Sequence, residues 1–340
     1  MTWMAWRLQR SVYLFFVAVS LLLIAYAIVN GLHIEALRHQ WLDQPCHGGN
    51  GFAAKYQALC QSTFTRYSNA MVTGTYVHWT AVLPTAVLGL LLGANTVAGE
   101  MDRNTVRTAW TQSITRGRWF TTKVAVGLGS LVALAIPLCV TVSWWLSASK
   151  WTPRISTNGF TYAGWMPLTT GIFAFAVTTI VGLILRRPGW TVAVGLAVMV
   201  LVAWAMQTDV RTNLVALHST TLTITTVTKG GVTVDRPPLK MAPANAWVIF
   251  NGYVPVHRGN TIPTWSQETT WINAVNQCPS IVTSQSVYDT CVRKLGLHDV
   301  ELYVPDIQYW ELQLREGGLY LASTALLLGA ALLLVRRTRA

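Results

Sequence analysis

The chain has 340 residues, of which 52% are hydrophobic and 11% are charged, and its formal net charge at pH 7 is +12. This composition excludes an ordinary soluble protein, because the apolar residues gather into runs long enough to cross a bilayer. The charge does not indicate a nucleic-acid-binding protein, since the basic residues flank the apolar runs and form no soluble basic face.

Six apolar runs each approach the roughly 20 residues that an α-helix needs to cross the hydrocarbon core of a membrane. We predict membrane spans at 11–31, 75–98, 124–146, 165–185, 189–206 and 318–335. None of these spans contains Asp, Glu, Lys or Arg. Their absence argues against a proton relay or an intramembrane catalytic centre.

The amino-terminal segment combines aromatic and basic residues. Trp3, Trp6 and Arg7 predict a short interfacial helix, with the indoles at the headgroup level. The first span then contains an Ala-Tyr-Ala triplet at 25–27 that resembles a signal-peptide cleavage site. Because the apolar run continues through Val29, we expect a retained anchor rather than a cleaved leader.

Basic residues are concentrated in alternate connections and at both ends of the chain. Twelve such residues stand against two acids, Glu100 and Asp102, in the same segments. The cations are Arg7, Arg10, Arg103, Arg107, Arg116, Arg118, Lys123, Arg186, Arg187, Arg336, Arg337 and Arg339. Short basic loops stay in the cytoplasm, so we predict cytoplasmic termini and an extracytoplasmic position for the nearly neutral segments.

Four of the five cysteines fall in the segments predicted to lie outside. The oxidising side favours the disulfides Cys46–Cys60 and Cys278–Cys291, with unpaired thiols or zinc ligands as the alternatives. No histidine spacing supports zinc, so we predict no metal site. Cys139 lies within a span and is predicted to be an inert core thiol.

The second span and the connection after it contain the most specific patterns. Gly89 and Gly93 form a pair of small residues that lets helices approach closely. From Glu100 the connection 99–123 reads as an amphipathic helix on the membrane surface, and Thr115 is placed to cap a turn leading into the third span. The alternative is a basic loop without further function.

Residues 207–317 form a polar insertion that is too long for an ordinary connection. Alternating residues in 222–235 predict a β-hairpin around Lys229, and 246–254 reads as another strand. Residues 278–296 are predicted to be helical, and 306–316 to lead as a helix into the last span, with Trp310 at the interface. The predicted fold is therefore an all-α polytopic membrane protein with six transmembrane helices. A small α+β extracytoplasmic domain is inserted between spans 5 and 6.

Three motifs, in order along the chain, resemble permease subunits of bacterial type-2 ABC exporters. The first is Trp3, Trp6 and Arg7; the second is Glu100, Asn104-Thr105, Trp110-Thr111-Gln112-Ser113, Arg116 and Trp119; the third is Tyr303, Pro305, Trp310, Gln313 and Glu316. The chain departs from the family at Asn104, where glycine is usual. Asparagine tolerates a positive φ better than most residues.

The resemblance implies a multi-pass protein of the bacterial plasma membrane that works as a homo- or heterodimer of permeases. A separate ATP-binding subunit would dock on the loop 99–123 and drive export of an amphipathic, lipid-like or drug-like compound. The residues implied in this coupling are Glu100, Arg103, Thr105, Arg107, Gln112, Ser113 and Arg116. Because the sequence contains no Gly-x-x-x-x-Gly-Lys-Ser/Thr phosphate loop, ATP and Mg are expected on the partner, and no cofactor on this chain.

Two other functions compete with this interpretation. A non-transporting sensor or immunity protein would bind its ligand with the extracytoplasmic domain, and a membrane enzyme would act on lipids. The predicted domains are 1–206, with the interfacial helix and spans 1–5, 207–317, the extracytoplasmic domain, and 318–340, with span 6 and a basic tail.

Overall fold

The computed structural model describes residues 2–42, 54–102, 115–149, 154–221, 225–229, 232–236, 241–243, 245–256, 258–279 and 285–337. The chain forms two compact units. The first comprises 1–152, 158–210 and 313–340, and the second comprises 153–157 and 211–312. The structure is mostly helical, with a small sheet region in the second unit.

Within the described residues, six helices are long and apolar enough to cross a membrane, which confirms the number predicted from the sequence. Their apolar segments are Tyr13–Trp41, Trp79–Asp102, Arg116–Ser149, Met166–Leu185, Pro188–Asn213 and Asp306–Arg337. The helices that supply them are α1 (Thr2–Leu42), α3 (Trp79–Asp102), α4 (Arg116–Ser149), α6 (Met166–Leu185), α7 (Pro188–Ala205) and α10 (Tyr309–Arg337). The side of the membrane that each end faces stays a prediction.

The first helix is longer than its predicted span and pairs with a helix that the sequence analysis missed. α1 has 41 residues, about 60 Å at the usual rise per residue, and α2 (Ala54–Gly74) packs against its second half. The rings of Trp41 and Tyr67 stack with centroids 6.0 Å apart and planes 3° from parallel. The indole Nε1 of Trp145 in α4 donates to Asn30 Oδ1 at 2.9 Å, which fastens α1 to α4.

Helices α3 and α6 make the closest helix–helix contact, and it depends on glycine. A Cβ added at Gly89 would lie 2.2 Å from the backbone oxygen of Gly171. A Cβ at Gly93 would lie 2.2 Å from Thr178 Oγ1 and 2.4 Å from the oxygen of Phe175. The close approach predicted for this glycine pair is therefore confirmed, since any side chain would force the two backbones apart.

A tight turn joins α6 to α7. Arg186 ends α6 in the left-handed conformation, with φ of 56°, and its amide donates to Gly182 O. Pro188 then begins α7, where the fixed φ of proline suits the first helical turn. A Cβ at Gly195 in α7 would lie 2.4 Å from Thr178 Cγ2 in α6, so these two helices also pack closely.

The second unit contains two small sheets. Strands β1 (His218–Thr221), β4 (Trp247–Pro255) and β5 (Leu297–Val304) form an antiparallel sheet in the order β1-β5-β4. Strands β2 (Thr225–Lys229) and β3 (Val232–Arg236) form the predicted hairpin, with Val227 opposite Val234. β4 confirms the strand predicted at 246–254, whereas β1 and β5 were not predicted.

Two helices cover this sheet: α8 (Trp265–Val275) and α9 (Gln285–Lys294). α8 begins with a capping box formed by Thr264 and Gln267, which satisfies amides that a helix start leaves unpaired. The predicted helix at 278–296 is confirmed for α9, but Cys278 lies in the bend after α8, and residues 280–284 lie outside the described residues. Val275, Val292 and Leu297 form a core on which the two helices and β5 meet.

The disulfide Cys278–Cys291 is present, which confirms that pairing. Cys60 in α2 is also a disulfide cysteine, but Cys46 lies outside the described residues, so the pairing Cys46–Cys60 stays a prediction. Cys139 is a free, buried thiol.

The second unit also contains an exposed ion pair. The Nε and Nη2 atoms of Arg154 donate to the two carboxylate oxygens of Asp306 at 2.8 and 2.7 Å, and the guanidinium lies 4.9 Å from the ring centre of Tyr309. The hydrogen bonds to Asp306 raise the pKa of Arg154 above its usual value.

Candidate coupling site

The candidate site lies where α3 ends and α4 begins. α3 ends at Asp102 and α4 starts at Arg116. The intervening positions that the resemblance implicates lie outside the described residues: Arg103, Thr105, Arg107, Gln112 and Ser113. Glu100, near the end of α3, and Arg116, at the start of α4, are described. Contact of either residue with a partner protein stays a prediction.

An ion pair joins the two helices that carry the loop. Lys123 Nζ in α4 donates to Glu100 Oε1 in α3. The side chains are only 13% and 15% exposed, respectively, so water screens this pair less than one on an open surface. Glu100 therefore has a charged partner within its own chain. Lys123 was predicted only as a loop cation. Its pairing with Glu100 was not predicted, because the two residues lie 23 positions apart in the chain.

The first turn of α4 is capped as the sequence predicts. The backbone amide of Arg118 donates to Thr115 Oγ1 at 3.4 Å, and that of Trp119 donates to Thr115 O at 3.0 Å. The side-chain cap satisfies the Arg118 amide, which would otherwise lack a partner at the start of the helix, and the Trp119 bond is the first regular bond of α4. The cap therefore fixes the residue at which the loop ends.

A compact apolar core holds the same end of α4 in place. Trp119 is 1% exposed and Phe120 is 2% exposed. They pack in a cluster with Val97 from α3, Leu183 from α6 and Val335 from α10. Packing two large aromatic side chains among three other helices holds this end of α4 through van der Waals contacts, which are the main attraction between helices in a membrane. The ends of α3 and α4 next to the loop are thus held by buried side chains, although the terminal residues Asp102 and Thr115 are exposed.

An open basic groove of ≈ 510 Å³ adjoins the loop. Its lining residues are Thr115, Arg116, Gly117, Arg118, Thr121 and Arg336. The guanidinium of Arg336 lies against Gly117, where a Cβ would come within 3.4 Å of Nε. Three arginines from two helices therefore meet here, which makes the groove suited to anionic groups. Of these three arginines only Arg116 was a predicted site residue, because Arg118 is not part of the motif and Arg336 is distant in the chain.

The third motif forms a buried contact at the start of the last helix. Gln313 is fully buried, and its Nε2 donates to Ala163 O at 3.1 Å and to Phe160 O at 3.4 Å. The indole Nε1 of Trp165 donates to Gln313 O at 3.2 Å. Glu316 is 1% exposed. These positions were assigned only to the resemblance, and the structure gives them a role in packing the connection between α5 (Thr157–Tyr162) and α6.

The predicted anchoring residues are described to different extents. Trp310 is 52% exposed and its ring meets that of Tyr309 edge to face at 5.0 Å. Its contact with a membrane interface stays a prediction. The surroundings of the Trp3, Trp6 and Arg7 side chains lie outside what the structure describes.

The described residues of the site offer binding surfaces. In the described parts of the chain, no three His, Cys, Asp or Glu side chains gather as metal ligands would. What the geometry provides is a fixed base for a loop, with a cluster of cations beside it.

No curated protein and no solved structure gives a significant match. A sequence profile described as "ABC-2 membrane transporter related" matches residues 17–211, more than half of the chain. That range runs from within α1 to the end of α7 and includes the candidate site between α3 and α4. The chain therefore belongs to the ABC-2 membrane transporter related family.

Proposed function

We propose that this chain is the membrane-spanning permease subunit of an ATP-binding cassette exporter. A separate ATP-binding subunit docks on the loop 99–123 from the cytoplasm. Two permease copies, identical or different, form the path for an amphipathic, lipid-like or drug-like compound. The chain itself performs no ATP hydrolysis, and ATP with Mg binds to the partner.

The observation that carries this proposal is the pairing of Glu100 with Lys123 at the base of the loop. A loop that only joined two spans would need no fixed base. Here the ion pair and the buried Trp119 hold both ends. A force applied to the loop by a docked protein is therefore passed to α3 and α4 rather than absorbed by local bending.

The ion pair also changes the role expected for Glu100. A carboxylate already paired with Lys123 is less suited to recognise a cation of another protein, because that would require breaking the existing pair. We assign Glu100 to holding the loop in shape. Recognition then rests on the loop as a body, since single surface ion pairs contribute only about 0–1 kcal/mol.

The test is purification of the full chain from its native membrane in mild detergent, followed by assay of bound ATPase. We expect the wild type to retain an ATPase and Glu100→Ala to lose most of it. Asp102→Ala is the matched control, because Asp102 is an exposed acid on the same helix end. Both variants should reach the membrane in wild-type amounts.

The contrary result is a clean chain without ATPase under several detergents. It would favour the sensor or immunity function, and ligand binding by the second unit would then be measured in the full chain. Equal loss of ATPase from Glu100→Ala and Asp102→Ala would show that the charge of the helix end matters, and would refute the specific role of the ion pair.

A further inference from the structure

A second groove continues from the basic groove along the same two helices. It has a volume of ≈ 390 Å³ and lies between α4 and α10. Its lining is almost entirely apolar: Phe120, Thr121, Val124, Ala125, Leu128, Leu328, Gly329 and Leu332. Thr121 lines both grooves, so the apolar surface leads directly to the arginines.

The two linings follow single stripes on their helices. On α4, Arg118, Thr121 and Leu128 recur at helical spacing, and on α10 Leu328, Leu332 and Arg336 are four residues apart. Residues at such spacing lie on one face of a helix. The two grooves meet at Thr121 on the outer surface of the helices. Together they are called the channel below, and this channel is apolar at one end and cationic at the other.

The length of the channel matches one leaflet of a bilayer. From Arg118 to Leu128 the helix rises about 15 Å, which is half of the roughly 30 Å hydrocarbon core. The arginines are then at the level of the lipid headgroups when Leu128 is near the bilayer centre. Basic loops on this side predict the cytoplasmic leaflet.

The polar end is supplied by side chains rather than by the start of α4. The amides of Arg118 and Trp119 are occupied by the Thr115 cap. The Thr121 hydroxyl donates to the backbone oxygens of Gly117 and Arg118, at 3.0 and 3.2 Å. The charge that faces a ligand therefore comes from the guanidinium groups, which bind phosphate oxygens with two parallel hydrogen bonds.

We propose that this channel, defined by Arg118, Thr121, Leu128, Leu328 and Arg336, binds one anionic phospholipid. The phosphate lies between the arginines of α4 and α10, and one acyl chain lies along the apolar stripe. Charge complementarity selects the anionic headgroup, and basic pockets at the cytoplasmic ends of membrane helices are known sites for such lipids.

The probes are phosphatidylglycerol and phosphatidylcholine with the same acyl chains, added to the purified full chain and measured by native mass spectrometry. We expect preferential retention of phosphatidylglycerol. Arg118→Gln and Arg336→Gln should each lower that preference by about fivefold, the effect of one cation near an anionic membrane surface. Arg337→Gln is the matched control, because Arg337 neighbours Arg336 and lines neither groove.

A second variant tests the apolar part independently. A Cβ at Gly329 meets nothing within 4 Å, so Gly329→Leu fills the channel without strain in the helix. We expect it to lower retention of both lipids. Gly129→Leu is its control, since Gly129 on α4 is equally open and lines neither groove.

Several results would overturn the proposal. Equal retention of the two lipids would remove the role of the arginines. Unchanged retention in Gly329→Leu would remove the role of the apolar channel. Displacement of the lipid by inorganic phosphate would show a phosphate site without an acyl-chain groove. Conversion of a dimer to a monomer by Gly329→Leu would show that a second copy of the chain occupies the channel.

Discussion

The ion pair Glu100–Lys123 should show a measurable energetic coupling in the docking of the ATP-binding subunit. Two unit charges 4 Å apart interact by about 4 kcal/mol near a protein surface, whereas exposed pairs give about 0–1 kcal/mol. Since both side chains are about one seventh exposed, we expect an intermediate coupling of about 2 kcal/mol. Because the pair already exists in the undocked chain, this energy is the upper limit of its effect on docking, which corresponds to roughly a 30-fold change in affinity.

The assay is a double-mutant cycle on the affinity between the full chain and its ATP-binding subunit. Glu100→Gln and Lys123→Gln should each weaken binding, and the double variant should be no weaker than either one. The exchanged pair, Glu100→Lys with Lys123→Glu, should recover most of the affinity, because it restores attraction with reversed signs. Asp102→Asn serves as the control for loss of a nearby charge.

The predicted coupling is contradicted if the effects of Glu100→Gln and Lys123→Gln on the binding free energy add within about 0.5 kcal/mol, as those of independent sites do. That result, together with failure of the exchanged pair, would mean that each residue contacts the ATP-binding subunit directly. The ion pair would then be incidental to docking.

Three further predictions concern stability, each measured by thermal or denaturant unfolding of the purified chain. Gly93→Ala should destabilise it by about 1–3 kcal/mol, the usual cost of overpacking, whereas Gly129→Ala, where a Cβ meets nothing, should not; equal effects would contradict the close contact of α3 with α6. Cys278→Ser should cost about 3 kcal/mol, because it opens the disulfide that closes a short loop of the second unit; an unchanged midpoint would contradict this. Burial and the negative charge of Glu301 raise the pKa of the Asp299 carboxyl above 3.8. The folded chain therefore holds the Asp299 proton more tightly than the unfolded chain does, and it loses stability as the pH rises through the raised pKa. Asp299→Asn should therefore stabilise the chain at pH 7 and bring no gain below the pKa of the unfolded state, and a destabilised variant at pH 7 would contradict the sign.

The six membrane helices could be predicted because their signal is local. Each long apolar run predicts a membrane helix without reference to the rest of the chain. The Gly89–Gly93 pair likewise indicates a close helix contact before its partner helix is known. The ends of the helices were less predictable. Trp310, Gln313 and Glu316 are polar or amphipathic, so a hydropathy criterion starts the last span at 318. The helix predicted at 306–316 is confirmed from Tyr309 onward, but its continuity with the span and the burial of Gln313 and Glu316 become apparent only in three dimensions.

The missed elements share this dependence on distant partners. α2 has little net hydrophobicity, and its packing against the second half of α1 becomes apparent only in three dimensions. β5 pairs with β1 and β4, both of which precede it by more than forty residues. At the candidate site the same limit applies: Arg116 was found through a local motif, whereas Lys123 and Arg336 join the site through helix packing.

The glycine contacts of α6 imply which parts of the membrane unit can move. Gly89 and Gly93 of α3 leave no space for sliding against α6, and Gly195 brings α7 equally close to Thr178. We expect these three helices to tilt together as one rigid block when the loop is pushed. Any opening must then form between helices that meet through longer side chains. Movement of the end of α3 at Glu100 would therefore move the whole three-helix block.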